Sequence, residues 1–236
     1  MMTDFMSKDE LVNELKKVNN YISDAFERDV KRNINVYHRE VKRLKKLFPE
    51  QTFLVVTVKK FKCPTTKNTT YVIVGYDVVN KGFICSCYGM MTDRNGKRQL
   101  VTASFDEVDG SRVFIYSSHL LSRYRERYLG SKEMDFDELV KSFIKDTRNG
   151  KLSSRIHWNF KRKSNPSEKT AVEVTAIGCN MGEDKGNGWI IFKTFVPKDQ
   201  LKELQEDYIH SGDIMVNILD MYVDDLLEET LSYFGA

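Results

Sequence analysis

The sequence predicts an α+β fold, an antiparallel β-sheet with packed helices, on three observations. Residues 4–48 hold neither proline nor glycine and repeat apolar side chains every three or four positions. Residues 51–116 break into short β-branched and aromatic runs parted by turn-forming residues. After Ser117 the spacing turns helical and then strand-like again.

Leu11, Leu15, Val18, Ile22, Phe26, Val30, Ile34, Tyr37, Val41, Leu44 and Phe48 form the seam of one long helix or two consecutive ones, ended by Pro49. The steps 22, 26, 30 and 34 are all fours, a stutter at which a kink or a straightened segment is expected. Residues 28–46 carry eight basic side chains against Asp29 and Glu40. A coiled-coil partner, a second subunit held through residues 7–48, or the acidic tail would each suit this helical arm. Residues 52–62, 71–79, 82–88, 99–104 and 112–116 read as strands, with turns at Asn80-Lys81-Gly82, Asp93-Arg94-Asn95-Gly96 and Asp109-Gly110. Their short connections favour an antiparallel meander.

Ser117 or Ser118 caps a helix that Gly130 stops, and Asp135 with Glu138 opens a second one carrying Phe136, Leu139, Val140, Phe143 and Ile144 inward to Asn149-Gly150. Three further strands are expected over 153–162, 171–178 and 188–196, with Gly182 to Gly188 as a loose hairpin loop. That glycine group precedes a strand and lacks Gly-Lys-Ser/Thr, so it does not spell a phosphate loop. Pro197 sits near the start of a helix through Ile209, and Asp213 caps a last helix to about Phe234. Along that helix Asp220, Asp224 and Glu228 align, a row that more often is a solvated face than a metal site. The organisation expected is a helical arm over 1–48, a β region over 49–112, an α+β domain over 113–198 and an acidic tail over 199–236, with 49–236 forming one compact unit as the alternative.

Charge is unevenly placed. Residues 1–196 hold 35 Lys and Arg against 24 Asp and Glu, whereas residues 197–236 hold 2 against 10. A basic body and an acidic tail suit either a nucleic-acid-facing surface that the tail shields or two surfaces that pair on folding. Cys63, Cys85, Cys87 and Cys179 are too few and too unevenly spaced for a disulfide framework, and Cys85-Ser-Cys87 is not a zinc-knuckle spacing. No run approaches the roughly 18 apolar residues of a membrane span, and the first ten residues lack signal-peptide layout. A cytoplasmic protein without cofactor or metal is expected.

The chemistry concentrates in residues 117–130. At about 100° per residue His119, Arg123 and Arg127 fall in one row and Leu120, Tyr124 and Tyr128 in the next. Guanidinium groups hold phosphates bidentately and a histidine titrates near neutrality, so this cationic ridge suits a phosphate-bearing polymer, with Arg125 and Tyr124 beside it. The same helix also reads as core tyrosines under solvated arginines. Residues 115–152 resemble a group of short bacterial domains of largely unassigned function whose core is Ser-x-His-x-Leu-x-Arg-x-Arg-Glu-Arg, here Ser117, His119, Leu121, Arg123, Arg125, Glu126 and Arg127. A brief helix ending in Asn-Gly follows in both, and then strands with Lys-Thr-Phe-Val near the last. Those domains are grouped with the RelE-like toxin ribonucleases, together with barnase, EndoU-type and colicin-type nucleases. The resemblance, over roughly 113–198, implies a small antiparallel sheet with packed helices that cuts RNA without metal. It implies His119 as acid or base, Arg123 and Arg127 as phosphate holders, and Thr194 as the polar residue facing them.

Cleavage without metal needs a base for the ribose 2′-hydroxyl and an acid for the leaving 5′-oxygen, and one histidine cannot serve as both in one step. His157 is the candidate second group, with Tyr124 behind it. Trp158 and Phe160 alternate with it, and Lys161, Arg162 and Lys163 add cations for RNA. Three functions therefore stand together: a metal-independent endoribonuclease, a nucleic-acid-binding module that does not cut, and an assembly protein recruiting through its N-terminal helix.

Overall fold

Ser7 accepts a hydrogen bond from the Glu10 amide while Glu10 accepts one from the Ser7 amide at 2.7 Å, and this capping box starts α1 (Lys8–Leu47). The computed structural model describes residues 2–104, 111–148, 155–161 and 169–200, with only the backbone of 155–161, Lys169 and Thr170. The 40-residue helix runs without a break through the stutter. Ahead of it lies β1 (Met2–Thr3); behind it come β2 (Phe53–Lys62), β3 (Thr69–Asp77), β4 (Gly82–Thr92), β5 (Arg98–Ser104) and β6 (Arg112–Tyr116). Two helices follow, α2 (Ser118–Arg127) and α3 (Phe136–Arg148), and then β7 (Arg155–Lys161), β8 (Lys169–Val174), β9 (Gly178–Gly186) and β10 (Trp189–Pro197). The helix expected from Asp213 to about Phe234 and most of the one opened by Pro197 lie outside the described residues; the described start of the latter, Lys198–Gln200, forms a short 3-10 turn.

The fold is α+β. One sheet runs β2-β3-β4-β5-β6-β10-β9-β8-β7, with β1 beside β4. Its two halves are antiparallel meanders, as the short turns require, but they join through a parallel pair, β6 with β10. Parallel neighbours need a crossover, and here α2, α3 and the second meander supply it. The regions 49–112 and 113–198 therefore share a single sheet.

Both faces of the sheet are covered. Leu54, Val74, Met91, Val101 and Ile115 pack under α1, while their strand neighbours Phe53, Ile73, Tyr88, Leu100 and Tyr116 pack under α2 and α3. The helix expected to be an arm thus spends its seam on its own sheet: Leu11, Leu15, Val18, Ile22, Tyr37, Val41 and Leu44 are all buried. No helix among the described residues is long and apolar enough to cross a membrane.

One strand differs from the expectation. The strand expected over 171–178 ends at Val174, and most of the loop expected over Gly182 to Gly188 is strand, since residues 178–186 form β9 between β8 and β10. Strand composition matters less where neighbours on both sides supply the hydrogen bonds. Gly182 is required by closeness, since a Cβ there would lie 1.9 Å from the Ile191 carbonyl oxygen. The hairpin turn itself is Asn187-Gly188, with φ of 51° and 81°, the left-handed pair that a tight two-residue turn needs.

At the seam between the two halves lies a buried ionic cluster. Arg148, the last residue of α3, donates to Glu173 on β8 at 3.0 Å and to the Tyr116 hydroxyl at 2.9 Å, and also to the Tyr88 hydroxyl. Tyr116 donates to Glu173 at 3.0 Å, and Asn180 Nδ2 completes the carboxylate at 2.8 Å. Burial lifts both tyrosines above the ordinary phenol pKa, so they stay protonated. Replacing Glu173 by Gln removes the charge that the buried guanidinium of Arg148 faces at 3.0 Å, and the urea midpoint should fall by the equivalent of about 3–5 kcal/mol. Arg148→Met combined with Glu173→Leu should cost less than either single change; a strictly additive double variant would contradict the coupling.

Candidate functional site

Ser117 ends β6 and begins α2: its hydroxyl accepts from the Leu120 amide at 3.1 Å, and its own amide bonds the Phe192 carbonyl of β10. That anchor sets the helix rotation. Leu120, Leu121 and Tyr124 turn fully inward onto Phe143 and Phe195. His119, Arg123 and Arg127 then fall at the boundary between core and solvent, each partly buried.

The row is connected. Arg123 Nε donates to His119 Nε2 at 3.3 Å, while its terminal nitrogen reaches Glu126 at 3.0 Å; Ser122 holds the other oxygen of that carboxylate at 3.0 Å. Arg127 donates to the Phe195 carbonyl at 3.1 Å, fixing the end of the helix to β10. Burial, and after it the charge on Arg123, hold the His119 pKa below the ordinary imidazole value; Arg127 and Lys97 push the same way and Glu126 opposes them. Lys97 comes from the β4–β5 turn, which carries no helical signal in the sequence.

The other expected residues scatter. Arg125 is partly buried on the same helix. Tyr124 is fully buried and donates to Asp146 of α3 at 2.6 Å, so it is core and not a stacking surface. The aromatic that does reach solvent is Tyr128, 42% exposed and stacked on Tyr124 with ring centroids 5.6 Å apart. Thr194 is buried on β10, and because its neighbour Phe195 points beneath α2, strand alternation turns Thr194 to the opposite face. His157 lies in β7, in register with Val172, Met181 and Thr194, three strands from β10 and so roughly 14 Å away at about 4.8 Å per strand. Lys161 ends that strand. Arg162 and Lys163 lie outside the described residues.

Arg148 and Glu173 escaped the sequence reading. Arg148 resembles an ordinary helix-terminal cation, and Glu173 between two valines resembles an outward strand position. The available signal was the apolar character of both faces of strands such as 71–76 and 189–192, which implies cover on both sides. Among the described residues no group of three or more His, Cys, Asp or Glu could hold a metal ion. No family model, no curated protein and no solved structure matches this chain.

Because folded His119 resists protonation, the unfolded chain binds more protons just below pH 6.5, and the histidine's contribution to stability is lost as pH falls through that range. An NMR titration should place its midpoint below 6.5, and Arg123→Met should move it upward. A midpoint at or above 6.5 would exclude the arrangement.

Proposed function

We propose that this protein binds RNA through phosphates held along α2, with Arg123, Arg125, Arg127 and Lys97 as the cations. The observation that carries the reading is the row of His119, Arg123 and Arg127 on one edge of α2, in which Arg123 donates to His119 at 3.3 Å and the charges of Arg123, Arg127 and Lys97 all hold the imidazole pKa down. Arg123, Arg127 and Lys97 at one helix edge make a positive patch that attracts a polyanion, with Arg125 elsewhere on the same helix, and Tyr128 offers a ring to an unstacked base. The likeness of the Ser117–Arg127 segment to the RelE-like ribonuclease grouping points to the same substrate class.

A second reading, metal-independent RNA cleavage, has one specific observation in its favour. His119 is held neutral near pH 7, the state in which an imidazole can take the 2′-hydroxyl proton. Against it, neither His157 nor Thr194 is brought to the row, and Tyr124 is turned into the core, where it donates to Asp146.

Fluorescence anisotropy with a 5′-labelled RNA separates these. Affinity should fall steeply with salt, and Arg123→Ala or Arg127→Ala should each lower the salt slope by about 1 while weakening all sequences alike. A flat salt response would reject binding by phosphate contacts. Incubation in EDTA should leave the RNA intact; cleavage that disappears in His119→Ala would establish the nuclease in its place.

A further inference from the structure

The seam of α1 does not meet the sheet evenly. Leu11 to Ile22 are buried at one end and Tyr37 to Leu44 at the other, but Phe26 and Val30 between them are only partly buried. The stutter explains this. Successive steps of four advance the apolar row by about 40° each around the helix, so over 22–34 it turns off the sheet surface. What the helix leaves there is an open groove of about 370 Å³ against β2 and β3. That size lies at the lower end of the range for small-molecule sites.

The groove is amphipathic. Ile22, Phe26, Val72 and Val74 make an apolar floor, and Arg28 and Arg32, exposed and one turn apart on α1, stand at the rim. Its one carboxylate, Asp29, is spent: Tyr37 donates to it at 2.5 Å and Lys59 at 2.9 Å. Burial opposes the ionisation of Asp29, but these bonds outweigh it and keep the carboxyl below its ordinary pKa. Lys60 turns away to pair with Asp137. Arg28 gives its Nε to the Asp24 carbonyl, and neither rim arginine pairs with a described carboxylate.

We propose that this groove binds an amphipathic carboxylate, its chain on the Ile22–Phe26–Val72–Val74 floor and its head group on the guanidiniums of Arg28 and Arg32. Two forks one helical turn apart hold a carboxylate bidentately. Among the described lining residues, the polar groups inside the groove, Asp29, Lys59 and Lys60, are already engaged, which argues against the edge of a nucleotide base. The site lies on the α1 face of the sheet, opposite α2, and is independent of the RNA reading.

Titration calorimetry of the full chain with decanoate, below its micellar range, tests this. Decanoate should bind saturably at one per chain, and decanol at least tenfold more weakly. The double change Arg28→Glu/Arg32→Glu should weaken decanoate at least tenfold with an unchanged urea curve, since both positions are exposed. Ala25→Trp should fill the groove and abolish binding, while His119→Ala leaves it intact. Absence of saturable binding, equal affinity for decanol, indifference to the charge reversal, or displacement of decanoate by an RNA oligonucleotide would each overturn the proposal.

Discussion

Arg148 and Glu173 bind together parts of the chain that lie far apart in sequence. Glu173, on β8, is 1% exposed, and an isolated carboxylate in that position would be strongly disfavoured. Its charge is balanced by a guanidinium from the end of α3 and its oxygens are filled by Tyr116 of β6 and Asn180 of β9. Tyr88 of β4 takes a further hydrogen bond from the same arginine. One cluster therefore touches the first meander, the crossover helix and the second meander. With that point set, the ends of α3 and β6 have fixed positions, and α2 is strung between them with its rotation set by the anchor of Ser117 on β10.

The parallel β6–β10 pair carries a second consequence. Placing two helices in the crossover covers one face of the sheet, and α1 must cover the other, so apolar residues line both sides of the central strands. Surface chemistry is then displaced to where helices and sheet fit imperfectly. One such place is the edge of α2, where the boundary row of His119, Arg123 and Arg127 meets Lys97. The other is the middle of α1, where a four-residue repeat cannot follow the sheet and leaves an apolar floor between exposed arginines.

Much of the architecture was legible from local pattern. Helical spacing and caps marked α1, α2 and α3, and β-branched runs with turn residues marked β2 to β6 within a few residues. The strand β9 was not legible, because its glycines, Asn180 and Asp184 signal loop, and it exists through pairing on both sides. The site was legible in part. Three-to-four spacing placed His119, Arg123 and Arg127 together correctly, since that relation is internal to one helix. It left open whether Tyr124 and Tyr128 are core or contact surface, and the structure divides them: Tyr124 is core, and Tyr128 reaches solvent. His157 was joined to the row by the need for a second acid-base group and Thr194 by likeness of motif; the order of strands separates the first, and strand alternation turns the second to the other face.

The sequence by itself determined the class of the fold, the extent of its helices, the cationic row on α2 and the stutter in α1, all properties set by neighbours within a turn or two along the chain. The tertiary structure alone decided the parallel joint, the partner of each buried charge, the arrival of Lys97 beside His119 and the opening of the groove beneath α1. These depend on contacts between residues far apart in the chain, and such contacts are chosen by which surfaces can be buried together with every polar group satisfied.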